Sequence, residues 1–375
     1  MLLVTRLLVF AGSINSALSA PRSTQEVLSV DLKSQTSEES SFGVGFDLTA
    51  SYGSAAVSFS NGSIVTITII AAKEEYNEVF QRLSLESSKH LSPPYDNLGG
   101  SWDDMPRQYL RKARKSVGLP ASSDVSILAD MLSKLRANVE ERVGPIVSAG
   151  VTTPHLVALY DEDIRDAFEY VGLENVAFPV GNPGHHLLWQ TSAAYAGYGF
   201  GLCPSYKDPM ACEDEQRKMP EITVMAVLYT RTALAVSLSI VWSAYSLWEP
   251  DYRYLIDTEL GYDMKDRYEH EVYWANVKAR LQEMMVENPG YDRPAKVLLM
   301  GDCVEDGDFQ RQLFEALGEQ METLPEILGS HSDVVAARGV AELAKRVPFK
   351  SSEAQESYSL YSGSRSAIRD PVKKA

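Results

Sequence analysis

The stretch FGVGFDLTASYGSAAVSF, Phe42 to Phe59, reads as two strands around a turn of small and hydroxylated residues, with one acid, Asp47, near the end of the first strand. These residue types suit either an ordinary hairpin or a loop that holds a phosphate, because small side chains let backbone N–H groups approach an anion. The next run, SIVTITII from Ser63 to Ile70, alternates as a third strand does. Three sequential strands joined by short turns make an antiparallel meander.

Further along, strands give way to strand–helix alternation. SWDDMPRQYLRKARKSVGLPASSDVSILADMLSKLRANVEERVG holds two helical stretches separated by Gly118 and Pro120. The second is capped at Ser122 to Asp124 and places Val125, Leu128, Leu132 and Leu135 at helical spacing. The basic run RQYLRKARK, Arg107 to Lys115, reads as a solvated helix face. GVTTPHLVAL resumes strand character, DEDIRDAFEYVGL is a capped helix, VAFPV is a strand, and LLWQTSAAYAGYGFGL has the small residues of a helix packed closely on a sheet. The second half repeats this plan. ITVMAVLYTRTALAVSLSIV is long enough for two strands with a turn near Thr230 to Thr232, followed by a helix at 266–285, the buried strand AKVLLMGD and the helix DFQRQLFEALGE. The helix HSDVVAARGVAELAKR closes the ordered region, and its Gly339 permits tight contact.

At 375 residues with 45% hydrophobic content, the chain is large enough for two lobes. A formal net charge of −16 argues against a broad nucleic-acid or anionic-membrane surface, each of which needs a basic face. MLLVTRLLVFAGSINSALSA has the layout of a secretory signal peptide, with a buried N-terminal strand as the other reading, and no later run reaches about 18 apolar residues. A secreted protein without a membrane span is expected. In that compartment Cys203 and Cys212, which flank CPSYKDPMAC, are the expected disulfide, and Cys303 a small core residue. Asn61-Gly62-Ser63 is a glycosylation sequon, with an Asn-Gly turn as its alternative. The aromatic segment VWSAYSLWEPDYRY, Val241 to Tyr254, suits a core strand and loop or a protein- or carbohydrate-binding surface. P-loop, dinucleotide-binding, zinc-protease and nucleophile-elbow motifs are absent, and GNPGHH, Gly181 to His186, has neither the lysine of a P-loop nor metal-ligand spacing.

Five segments in order resemble the nucleotide-binding domain of the seventy-kilodalton heat-shock chaperones, in the actin-like ATPase superfamily. DLTASY, Asp47 to Tyr52, is similar to that family's Asp-Leu-Gly-Thr-Thr-Tyr hairpin. The long helix PASSDVSILADMLSKLRANVEERVG leads into VTTPHLVAL as the family's helix leads into its Ile-Thr-Val-Pro strand. WQTSAAYAGYGF, KVLLMGDCVEDGDFQRQL and HSDVVAARGVAELA are similar to its catalytic-acid helix, its adenosine-side strand–helix unit and its closing helix. The resemblance runs from Ser41 to Arg346.

It implies an α/β, two-lobed actin-like (ribonuclease H-like) fold with the second lobe reduced. The implied organisation is a signal peptide at 1–20, a flexible lead-in at 21–40, an N-terminal lobe at 41–202, a linker at 203–220, a C-terminal lobe at 221–346 and a disordered tail at 347–375. It also implies ATP or ADP with magnesium at Asp47, Thr49, Ser51, Tyr52, Gly301 and Asp302, with Asp47 holding the metal through water. The chain departs from the family pattern where chemistry is most demanding. Thr49, Ala50 and Ser51 replace a glycine and two threonines; the second phosphate hairpin falls on LYTRTA, Leu228 to Ala233, with neither glycine nor acid; and the catalytic glutamate falls on Gln190. Asp302 replaces a glycine, and one helix fits where the family places its adenine-clamping subdomain. The expectation is a pseudo-ATPase without catalytic residues, serving as a binding or structural module for an unknown protein partner. The alternative is an ATP-binding protein with weak hydrolysis; a sugar kinase lacks a recognisable sugar-binding acid.

Overall fold

The computed structural model describes residues 42–95, 98–176, 188–248, 253–285 and 293–349. The expected signal peptide, the lead-in, GNPGHH, VAFPV beyond Val176, residues 249–252 of the aromatic segment and the tail beyond Phe349 lie outside the described residues.

The opening stretch forms the hairpin β1 (Phe42–Leu48) and β2 (Tyr52–Phe59), paired from Phe42 with Phe59 to Leu48 with Gly53, and β3 (Ile64–Ala71) completes the meander. Helices α1 (Glu74–Leu83), α2 (Leu98–Asp103), α3 (Met105–Ser116) and α4 (Ser123–Val143) form the crossover that parallel pairing requires. The Ser122 hydroxyl caps α4 by accepting the Val125 N–H. Strand β4 (Ser148–Thr153) then runs parallel to β1. After α5 (Asp161–Val171), the short strands β5 (Glu174–Asn175) and β6 (Leu188–Trp189) both pair with β4. The first sheet therefore has the order β3-β2-β1-β4-β5.

The second half follows α6 (Gln190–Gly197) and α7 (Pro209–Arg217). Strands β7 (Ile222–Tyr229), β8 (Leu234–Ser243) and β10 (Tyr254–Asp257) form a second antiparallel meander, with β9 (Ser246–Trp248) also on β8. Helix α8 (His270–Glu283) leads to β11 (Lys296–Met300), which is parallel to β7; α9 (Gly307–Gln320) leads to β12 (Glu326–Leu328), which is parallel to β11. Its order, β10-β8-β7-β11-β12, repeats the first: an antiparallel meander extended by parallel strands. Between Asp263 and β11, the described residues hold a short 3₁₀ segment and α8.

The last helix, α10 (Val335–Arg346), packs on β1 and β2 and against α6, while α4 contacts β2 and β3. Cover on both faces explains why β1 and β2 are buried almost without alternation. A Cβ on Gly339 would lie 1.7 Å from the Ala193 carbonyl oxygen of α6, so that crossing requires glycine. The two halves are thus joined through α6 and α10, with residues of both helices sharing one core with Val224, Leu228 and Leu298 of the second sheet.

One segment holds more than its sequence reading and another differs from it. The 203–220 linker contains α7 and the Cys203–Cys212 disulfide, and its Cys203 carbonyl accepts Arg346 Nη1 at 2.7 Å. The basic run on α3 is not a solvated face: Arg111 is buried and pairs with Asp163 at 2.8 Å and Asp166 at 2.7 Å on α5. Among the described residues no helix is long and apolar enough to cross a membrane.

Candidate functional site

The β1–β2 turn folds around one side chain. Thr49 is fully buried; its Oγ1 accepts the N–H groups of Ser51 (3.2 Å) and Tyr52 (3.0 Å) and donates to the Tyr52 carbonyl (2.9 Å). The Thr49 N–H donates to the same carbonyl at 2.9 Å. Two N–H groups at the tip are therefore satisfied by a hydroxyl of the tip itself.

Asp47 lies just before this turn and is 3% exposed. Gln190, the first residue of α6, donates Nε2 to Asp47 Oδ1 at 2.6 Å. Burial raises the Asp47 pKa well above the ordinary carboxylate range, to about 7, against the opposing effect of the Gln190 hydrogen bond. The phenols of Tyr52 and Tyr76 are themselves pushed up by burial and then by the Asp47 charge, so both stay protonated. Their hydroxyls, Ser51 Oγ, Ser54 Oγ and Gln190 Oε1 are buried without a hydrogen-bond partner. Around Asp47 the protein holds a carboxyl that gains or loses a proton near neutrality. Its neighbour Gln190 carries an amide, which cannot act as a base.

The β7–β8 turn closes in the same way. The Thr230 N–H donates to the Ala233 carbonyl at 3.0 Å, and Thr230 Oγ1 both donates to that carbonyl and accepts the Ala233 N–H at 3.2 Å. Arg231, at the tip, is exposed and pairs with Asp263 at 3.1 Å. Partial burial raises the pKa of the nearby Asp302, an effect held back by its own backbone N–H, by the Cys303 thiol and by Arg231. Gly301 has φ +107° and packs directly on the Tyr229 backbone.

The sequence-predicted residues form two groups. Asp47, Thr49, Ser51 and Tyr52 share the first tip, while Gly301 and Asp302 back the second. Asn61 stands apart, exposed on the β2–β3 turn, where its Oδ1 accepts the N–H and hydroxyl of Ser63. Between the halves is a cavity of about 20 Å³, lined by Pro154 and Gln190 on one side and Leu228, Ser237 and Met300 on the other, with room for about one water. Beside it, His155 stacks between Trp189 and Tyr254, with centroids 3.9 and 4.7 Å away, and burial pushes its pKa down to about 3. Neither this stack nor the Thr230 closure was foreseen; a threonine in a turn is the only sequence signal for the latter. Among the described residues no group of three His, Cys, Asp or Glu side chains is arranged to hold a metal ion. No protein-family model and no curated protein matches the chain.

Proposed function

We propose that the chain is a two-lobed actin-like domain, related in plan to the nucleotide-binding domain of seventy-kilodalton heat-shock chaperones, and that it works as a pseudo-ATPase: a binding or structural module rather than a nucleotide hydrolase. The repeated strand order of the two sheets supports the two-lobed reading. The observation that carries the pseudo-ATPase reading is the closure of both hairpin tips on their own threonines, Thr49 and Thr230. A phosphate cradle needs free, convergent N–H groups. At the first tip the Thr49 hydroxyl takes two of them, and at the second the Thr230 hydroxyl takes the Ala233 N–H.

The residues present do not fit ATP with magnesium. Asp47 Oδ1 is taken up by the Gln190 amide, and burial raises its pKa to about 7, so its charge, which a cation needs, is only partly present at neutral pH. The disulfide, together with the exposed Asn61 sequon, supports passage through an oxidising secretory compartment.

Calorimetric titration of the purified chain with ATP and ADP in excess magnesium tests the reading, alongside phosphate release. The expected outcome is no saturable heat at millimolar nucleotide and no turnover above that of Asp47→Ala. Saturable binding with turnover that Asp47→Ala abolishes would establish the weak-ATPase alternative.

A further inference from the structure

Helices α2 and α3 run almost as one. Asp104 between them keeps right-handed helical geometry, its N–H donates to the Gly100 carbonyl, and its carbonyl accepts the Gln108 N–H. What sets this element apart is the direction of its amphipathicity. A helix lying on a globular domain ordinarily turns an apolar stripe inward and charges outward. Here the inward face is ionic: Arg107 and Arg111 pair with Glu162, Asp163 and Asp166 of α5, and Lys115 reaches Asp166 at 2.8 Å.

The opposite face is apolar and open. Trp102 is 67% exposed, Tyr109 64%, Leu110 61% and Val117 71%, with Pro106 and Ala113 exposed between them. Their spacing places all six along one stripe of the helix. Scattered exposed apolar residues are ordinary, whereas a contiguous stripe with two aromatics marks an interaction surface.

The stripe is also symmetric. Trp102 and Val117, Pro106 and Ala113, and Tyr109 and Leu110 are three pairs centred on the same point, between Tyr109 and Leu110. Two copies of α3 laid antiparallel about a two-fold axis at that point bring each residue to the level of its counterpart in the other copy, with Tyr109 and Leu110 each meeting its own copy at the centre. The flanking charges agree. Asp103 and Arg114 fall on one edge of the stripe at almost equal distances from the centre, so each Asp103 approaches the other copy's Arg114. Within its own chain Asp103 is exposed, and Arg114 donates to the Pro120 carbonyl rather than to a carboxylate.

We propose that this face is the interface of an antiparallel, two-fold homodimer built on α3. An interface that meets itself across a two-fold axis must be self-complementary, and this stripe is so in the levels of its apolar residues and in the Asp103 and Arg114 charges at its edge. A membrane is the less favoured occupant because the chain carries a net charge of −16. One helix pair of this length buries on the order of 1,000 Å² in total, near the lower bound for specific interfaces, so micromolar association is expected.

Sedimentation equilibrium of the full chain from micromolar to submillimolar concentration is the test. The weight-average mass rises from the monomer value of 41.4 kDa towards twice that. Leu110→Asp, a change at an exposed position, abolishes the rise while leaving thermal unfolding unchanged. Asp103→Arg and Arg114→Asp each weaken association about tenfold, and the double exchange restores it. A chain that stays monomeric throughout, or a dimer indifferent to Leu110→Asp, overturns the proposal. So does monomeric chain that co-sediments with phosphatidylcholine–phosphatidylserine vesicles in a Leu110-dependent manner.

Discussion

The two hairpin tips close by the same device and sit in opposite surroundings. In each, a threonine at the start of the turn engages the backbone three residues on, Thr49 with Tyr52 and Thr230 with Ala233. The first tip is sealed in the core beside a buried acid, whereas the second carries an exposed arginine whose charge is met by Asp263. One turn chemistry therefore serves a region where charge is suppressed and another where charge is paired. The difference lies in what backs each tip, and it can be broken at several places.

The largest effect is expected where backbone meets backbone. A Cβ on Gly301 would lie 2.1 Å from the Tyr229 carbonyl oxygen, at a φ of +107° that side chains rarely adopt. Gly301→Ala should lose about 4 kcal/mol through strain and overpacking together. The nearest equivalent behind the first tip is Gly53, where a Cβ would meet the Met131 thioether at 2.8 Å. That side chain is flexible, and Gly53→Ala should lose about 1 kcal/mol. Urea midpoints at unchanged m-value measure both. Equal losses would show that the two tips are backed alike.

Next is the suppressed charge. The folded-state pKa of Asp47, raised by burial to about 7, lies above its unfolded value, so the folded state binds the proton more tightly. Stability from this group is therefore fully present below the unfolded pKa and is lost as pH rises through the interval up to about 7. The slope is about 1.4 kcal/mol per pH unit, or about 4 kcal/mol across the window. Asp47→Asn keeps the shape without the charge. Its stability relative to the parent should be near zero below about pH 4 and rise to about +4 kcal/mol above pH 7. A difference that is flat from acid to neutral pH would mean that Asp47 stays ionised in the fold and that the first tip tolerates charge as the second does.

The sequence revealed the scaffold of this comparison better than its detail. Alternation in β3, the long β7–β8 run and the Ser122 cap are local signals, and each produced the expected element. Asp47 stood out as a lone acid in an apolar hairpin, and Gln190 as the residue on which the family's catalytic glutamate falls; that the two meet came from the structure. The role of Thr49 stayed hidden because whether its hydroxyl turns to solvent, to a ligand or to its own turn depends on tertiary packing. The inward ionic face of α3 was hidden for a related reason. Periodicity assumes that charge points outward, and Arg111 points inward only because α5 presents Asp163 and Asp166 to it. The helix inside the disulfide-linked segment was masked by its polar composition, although Asp208 caps it by accepting the N–H groups of Met210 and Ala211.

The smallest effects come from the threonines themselves, and their ranking bears most directly on what the tips are for. Thr49→Val preserves volume and removes a hydroxyl that accepts two N–H groups and donates once. Ser51 and Tyr52 are both buried, so their N–H groups would lose a partner that water replaces poorly. The expected loss is about 2 kcal/mol. Thr230→Val removes a hydroxyl that satisfies one N–H, while the backbone bond from Thr230 to Ala233 remains to hold the turn, so the loss should be about 1 kcal/mol. If these turns serve the fold, the two losses appear in urea denaturation in that order. A turn kept for a ligand would behave differently: Thr49→Val would leave stability unchanged, because N–H groups meant for an anion are already exposed to water in the free protein. A null result at Thr49 would therefore return the first tip to the nucleotide-binding reading, while a loss near 2 kcal/mol shows its hydroxyl occupying the place a phosphate would need.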